Sequence, residues 1–297
     1  MWQQQINEIL AGNQKTLARC ISLIENEVND YEMLLETLPA SATPVIGITG
    51  PPGAGKSTLV DALIELLVGQ DKSVAVICVD PSSPFNLGAL LGDRIRMSAW
   101  YNHPKVFIRS LATRGSLGGL HPKIIEISDL VKIAGFDYVI IETVGVGQSE
   151  VEIAGLADIT AVVVVPEAGD EVQTMKAGLM EIADIFVVNK ADRPDADLFV
   201  KNLKLMLAPA YRNQDTHIPV IKTIASQKKG IAEFYKAITE LLLKGNENKK
   251  RSWLLAEKAF HLIQQKKMKA IDKKVLKEKI EAAGKDLNLY SFIKNYF

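Results

Sequence analysis

Eight consecutive residues, Gly50-Pro51-Pro52-Gly53-Ala54-Gly55-Lys56-Ser57, have the types and order needed to hold a phosphate chain. The pattern is G-x-x-x-x-G-K-S, with Thr58 following. Glycines let the backbone turn its N–H groups toward phosphate oxygens, and a helix opening at the lysine adds the positive end of its dipole. Lys56 is placed to reach the β and γ phosphates, and the Ser57 hydroxyl to ligate Mg²⁺. An apolar run, 45–49, precedes the turn and a helical pattern follows it, which is the context this motif requires.

A second stretch, FVVNKAD at 186–192, closes an apolar run with Asn189-Lys190-Ala191-Asp192. This N-K-x-D spacing resembles the guanine-reading loop of GTPases. A carboxylate at Asp192 accepts from guanine N1–H and the exocyclic amine together, and adenine offers neither donor there. A site built on such bonds rejects the wrong base by a factor on the order of ten thousand. Asn189 is expected to brace the loop and the Lys190 stem to lie over the ring. The nucleotide is therefore GTP, with GDP as its product. IKTIASQKKGI, 221–231, reads as the last base loop, where the Ala225 amide is expected to meet guanine O6. Its usual Ser-Ala dipeptide falls on Ile224-Ala225, so the serine is missing.

The chemistry at the other end of the nucleotide falls to FDYVIIETVGVGQSE, 136–150. Its apolar run ends at Glu142, followed by Thr143-Val144-Gly145, in the place of a D-x-x-G switch with glutamate for aspartate. The Gly145 amide is expected to hold the γ-phosphate, and Glu142 to act on the Mg²⁺ shell. Lys56, Glu142 and Gly145 are the candidate catalytic groups. Small GTPases carry a water-orienting glutamine directly after this glycine. Here Val146 stands there, so hydrolysis is expected to be slow unless a partner supplies what is absent. Two long polar loops complete the set: VDPSSPFNLGALLGDRIRM carries Asp80 and Asp93, and ATRGSLGGLHP carries Arg114. Loops of this kind are usually functional. From chemistry alone, each aspartate is either an Mg²⁺ contact or a solvated acid.

The elements that must hold these groups alternate along the chain. Strands are predicted at 45–49, 74–79, 106–109, 138–142, 161–165, 185–189 and 219–223, with helices at 57–68, 122–134, 171–181 and 231–242. The strand runs are short, rich in Val and Ile and unalternating, as buried parallel strands are. The implied fold is α/β: a P-loop NTPase with a mostly parallel central sheet, helices on both faces, and helical extensions at each end. Residues 1–42 read as an N-terminal helical extension, 43–245 as the GTPase domain, and 246–297 as a C-terminal arm for dimerisation or partner contact. From residue 247 onward there are thirteen Lys or Arg against six Asp or Glu, and Met268, Ile271, Val275 and Ile280 form an apolar stripe opposite the lysines.

The 297 residues carry 35 basic and 35 acidic side chains, so no overall field argues for nucleic acid or membrane. Cys20 and Cys78 read as buried reduced thiols. The start lacks a signal-peptide pattern and no run spans a bilayer, which makes the cytoplasm the expected compartment. The histidines, His103, His121, His217 and His261, are scattered and read as surface or loop residues.

GPPGAGKST, VDPSSP, GDRIRM, ATRGSLGGL, ETVGVGQSE and NKAD occur in the order of the methylmalonyl-CoA-mutase-associated GTPases, the MeaB/ArgK family, which this sequence resembles over residues 6–260. The resemblance implies a G-domain of the signal-recognition-particle type, a homodimer formed through the helical extensions, and a GTPase chaperone of adenosylcobalamin-dependent acyl-CoA mutases. It also implies that Asp80, Asp93 and Glu142 surround Mg²⁺ with Ser57. By the same resemblance, Arg114, Gln148, Asp170 and Lys176 are switch or partner residues. The family has also carried the label of a transport ATPase or kinase, against which Asp192 argues. A metallocentre-maturation GTPase of the urease or hydrogenase type is the main alternative, although it needs soft or imidazole ligands to carry its metal.

Overall fold

The computed structural model describes residues 2–28, 30–80, 97–113, 120–144, 153–166, 177–207, 218–244, 248–268, 270–284 and 287–296. The apolar runs form seven strands: β1 (Val45–Thr49), β2 (Val74–Asp80), β3 (Val106–Ala112), β4 (Tyr138–Glu142), β5 (Ile159–Val164), β6 (Ile185–Val188) and β7 (Val220–Lys222). They make one sheet, ordered β3-β2-β4-β1-β5-β6-β7, in which every pairing is parallel. All residues of β1, β2, β5 and β6 are buried, which is why their sequences do not alternate.

Each face of the sheet carries its own helical layer. On one face, α4 (Lys56–Gly69) and α8 (Ile231–Lys244) bury Leu59, Leu63, Leu67, Phe234 and Ile238 against Ile46, Ile48, Val76, Val163 and Val187. On the other face lie α1 (Trp2–Leu10), α2 (Gln14–Glu25), α3 (Tyr31–Glu36) and α5 (Ile124–Lys132), which share one cluster with Ala75, Ile77, Val139 and Ile141. Beside them α7 (Ala196–Leu207) packs Phe199, Leu203 and Leu207 on Val162, Val164, Phe186 and Val188. A short helix, α6 (Ala177–Ile182), precedes β6. Each fully buried Leu, Ile, Val or Phe contributes ~1.5–3 kcal/mol of gross transfer energy, far more than helix propensity supplies.

Two differences between the expected and the observed elements have a cause visible in the structure. The N-terminal helical pattern is broken twice, giving three helices. Gly12 takes φ 84°, and the Asn13 side chain then accepts the amides of Lys15 and Thr16 to start α2. These helices lie in the same compact unit as the sheet, residues 1–249. Strand β3 runs three residues beyond its expected end at Arg109, because the guanidinium reaches Glu25 Oε2 (2.7 Å) and Ser22 Oγ (3.1 Å) on α2. The ladder therefore continues through Ser110–Ala112 against Cys78–Asp80. Cys20 and Cys78 are both buried and free, and burial pushes the Cys20 thiol up.

A second unit, residues 250–297, contains most of α9 (Asn248–Met268), with α10 (Lys273–Ala283) and α11 (Leu289–Ile293). Asp272 and Asn288 cap the last two helices through Lys274 N–H and Ser291 N–H. Phe260, Met268, Val275, Leu289 and Tyr290 are exposed.

At the amino ends of β2 and β4, Asp137 accepts from the Ser73 amide and hydroxyl (2.8 Å each) and from Lys72 Nζ (3.0 Å). Burial opposes the charged carboxylate, but the Ser73 amide, the Lys72 ammonium and the Ser73 hydroxyl together outweigh it and hold the carboxyl below its ordinary 3.8. A depressed acid stabilises the fold above its unfolded pKa, and that contribution is lost as pH falls through the folded value. Urea denaturation from neutral pH down to about pH 2.5 should therefore show a smaller acid loss for Asp137→Asn than for the parent chain. Equal acid slopes would remove this role for Asp137.

Candidate functional site

Among the described residues, those with candidate chemistry fall at the carboxyl ends of the strands. The phosphate turn follows β1, Asp80 closes β2, Glu142 closes β4, Asn189 follows β6, and Thr223 and Ala225 follow β7. The chain leaves β1 toward β2 on one side and later reaches β5 on the other, so the turn sits where the strand order reverses. Open α/β sheets bind ligands at such a crevice.

Two neighbours dictate the glycines of the turn. Gly50 has φ 139°, and a Cβ there would lie 2.0 Å from the Val163 carbonyl oxygen of β5. Gly55 has φ 88°, and its Cβ would lie 2.4 Å from Asn189 Nδ2. Ala54, between the outer glycines, is fully buried, while Pro52 and Gly53 are exposed and Pro51 half-buried. Lys56 starts α4 and is buried; its ammonium donates to the carbonyls of Gly50 (2.8 Å) and Pro51 (3.1 Å). The side chain thus folds back over the turn, with half-buried Thr58 beyond it on the helix.

On the β4 side, the Ser57 hydroxyl donates to Glu142 Oε1 at 2.6 Å, with both residues buried. Register pairs Cys78 with Glu142, which places Asp80 two residues further toward the site; it is 3% exposed. The Thr49 and Thr143 hydroxyls, 2.9 Å apart, fasten the end of β1 to the residue after β4. Ser57, Asp80 and Glu142 form an all-oxygen donor set, which suits a small hard cation. Among the described residues no group of three or more His, Cys, Asp or Glu is arranged to hold a metal. An ion here would therefore complete its shell with phosphate oxygens and water, as Mg²⁺ does.

On the β6 side, Asn189 is 2% exposed and its side chain joins three loops. Its Nδ2 donates to the Ala54 carbonyl (2.9 Å), and its Oδ1 accepts from the Thr223 hydroxyl and the Ala225 amide (3.1 Å each). Lys190 adopts φ 55°, after which the Ala191 amide donates to the Thr223 carbonyl at 3.0 Å. Asp192 is exposed beyond this turn. The Ala225 amide, expected to meet guanine O6, here serves Asn189. Thr223 escaped the sequence reading, although it stands two residues before Ala225 where a short hydroxyl can reach back to Asn189.

The expected residues Asp93, Arg114, Gly145, Gln148, Asp170 and Lys176 lie outside the described residues. His121, read as a surface or loop histidine, is in a loop but only 2% exposed; its Nδ1 accepts the Lys123 amide at 3.0 Å just before α5.

Comparison with known proteins agrees with this geometry. The family model described as methylmalonyl-CoA-mutase-associated GTPase MeaB matches residues 17–280. A protein of Pyrococcus abyssi named as a GTPase is 45% identical over 290 residues, covering 96% of this chain and 88% of that protein. A fused isobutyryl-CoA mutase of Cupriavidus metallidurans is 42% identical over 197 residues, which are 64% of this chain and 18% of that protein. Among solved structures, a LAO/AO transport system kinase is similar with TM-score 0.70 and 27% identity, over 99% of this chain and 96% of that one.

Removing the Asn189 side chain leaves a buried carbonyl, hydroxyl and amide without that partner, at ~1–3 kcal/mol each. Asn189→Ala should therefore weaken GTP binding at least ~100-fold by calorimetry. An unchanged affinity would show that the three loops hold their places without it.

Proposed function

We propose that this chain, which belongs to the methylmalonyl-CoA-mutase-associated GTPase family MeaB and is a GTPase, serves as a chaperone of an adenosylcobalamin-dependent acyl-CoA mutase, assisting cofactor loading and protecting the enzyme. The observation that carries the client is the Cupriavidus relative: a segment like this one forms under a fifth of a protein named a fused isobutyryl-CoA mutase. A GTPase-like segment fused within a mutase supports a client relation between the two, with this chain matching that segment.

The reaction is attack of water on the γ-phosphorus of GTP, releasing GDP and phosphate. Lys56 draws its ammonium from the Gly50 and Pro51 carbonyls to the phosphate oxygens, where it offsets charge on the leaving β-phosphate. Turn amides of 53–57 and the start of α4 supply further donors. Ser57, Asp80 and Glu142 would hold Mg²⁺, which neutralises charge between the β and γ phosphates when bound. Asp192 reads the guanine edge while Asn189 keeps its loop against the turn. Val146 cannot orient the attacking water, so the mutase is proposed to order that group when it binds, which makes turnover report on the client. The helical extensions would make the protein a homodimer, working in the cytoplasm.

Phosphate release should be slow with the protein alone and rise clearly when a cobalamin-dependent acyl-CoA mutase is added. Absence of acceleration by methylmalonyl- or isobutyryl-CoA mutase would end the chaperone reading and leave the GTPase standing. Lys56→Ala should abolish hydrolysis. Asp192→Asn should shift preference from guanine to xanthine nucleotides, because xanthine carries an acceptor where guanine carries its amine; retained GTP selectivity would move the base pocket elsewhere.

A further inference from the structure

Along α4, Ser57, Asp61 and Glu65 recur every four residues and form one polar row on a helix otherwise buried in apolar contacts. Each member is tied to a different part of the chain. Ser57 reaches Glu142 on β4, Glu65 accepts from Lys228 of the last base loop (2.5 Å), and Asp61 Oδ1 accepts the Trp100 indole N–H (2.7 Å). Trp100 ends the short 3₁₀ turn Ser98–Trp100, follows the fully buried Met97, and stands edge-on to His103 with centroids 5.8 Å apart. Its ring packs on the cluster that α4 shares with β1 and β2.

A half-buried indole needs an acceptor, and any backbone carbonyl would satisfy it. Here the acceptor is a carboxylate one turn below the residue expected to ligate Mg²⁺, on the same face of the helix. Leu59, Leu63 and Leu67 hold α4 to the sheet through non-directional contacts, so fine adjustment of its rotation about the axis falls to the polar row. The Trp100 indole N–H supplies one of the directional bonds that set it, at the middle of the row. Rotation at Asp61 carries Ser57 with it, because one turn of helix is rigid.

We infer that Asp61 is a positioning residue, locked by Trp100, that fixes the azimuth of α4 and hence the place of the Ser57 hydroxyl against the metal. The inference rests on the GTPase site described above and adds two residues outside it. It is specific about which property of Asp61 matters: the acceptor oxygen, not the charge.

The test is a Mg²⁺ titration of phosphate release at saturating GTP for Trp100→Phe, Asp61→Leu and Asp61→Asn. The first two should raise the half-saturating Mg²⁺ by about tenfold, since sub-ångström displacement of a reacting group is costly. Asp61→Asn retains the oxygen and should stay within about twofold of the parent. A parental Mg²⁺ dependence in the first two overturns the inference, as does an asparagine that behaves like leucine. The second readout needs no turnover. In a Trp2→Phe/Trp253→Phe background, Trp100 is the sole tryptophan, and its emission should change when Mg²⁺ is added to the GDP-bound protein held first in chelator. No change overturns the inference even where the substituted chains fail to fold. Should the parent chain neither bind nor hydrolyse GTP, it is the underlying site assignment that fails, and that result is read before any variant.

Discussion

A primary amide in the protein interior must spend its hydrogen bonds on protein groups, and the Asn189 side chain is where this requirement organises the site. Its donors and acceptors lead to Ala54, Thr223 and Ala225, residues 135, 34 and 36 positions away in sequence. Ala54 sits in the phosphate turn and Thr223 and Ala225 sit in the last base loop, so the amide joins these two to its own loop. Without the amide, the phosphate turn would lose its side-chain tie to the base loops, which would keep the bond between the Ala191 amide and the Thr223 carbonyl. With it, they are one body. The same contact explains the glycine at 55, because any side chain there would collide with Asn189 Nδ2.

The sheet supplies what the amide cannot. Parallel strands put every carboxyl end on one edge, and the reversal at β1 opens a crevice there. Helices on both faces then bury β1, β2, β5 and β6 completely, so the strands on either side of the crevice have no solvent face behind the loops. On the β4 side, the Ser57 hydroxyl meets the Glu142 carboxyl at 2.6 Å and the Thr49 and Thr143 hydroxyls meet at 2.9 Å. Glutamate at 142 has one more methylene than the aspartate common at such a strand end, and that length is what lets it span from β4 to the first turn of α4.

Much of this was legible in the sequence where the signal is local. Turn, lysine and serine are contiguous, and the four residues of N-K-x-D fix their own loop. Strand positions followed from apolar runs that no solvent face interrupts. What stayed hidden depends on partners distant in the chain. Arg109 looked like the end of a strand because its ion partner, Glu25, lies 84 residues away. Thr223 looked like an ordinary strand end until Asn189 was seen to need a second donor. The N-terminal helical period ran through Gly12 and Asn13, and only the αL turn and the cap show that the helix stops and restarts. His121 carried no apolar pattern of its own, and its burial comes from the neighbours that close over it.

The loops expected to read the two ends of the nucleotide stand on opposite halves of the sheet, yet both halves grip the same short segment. Asn189, beyond β6, holds the carbonyl of Ala54, while Glu142, at the end of β4, holds the hydroxyl of Ser57. Only Gly55 and Lys56 separate these two anchors, and a helix begins between them. A displacement of the base loop therefore cannot be absorbed before it reaches the phosphate ligands, because no flexible stretch lies between. The proposed base loop and phosphate turn are joined through covalent geometry and two buried hydrogen bonds. A partner that shifts either half of the sheet edge acts on both, which is the property a nucleotide switch requires of its scaffold.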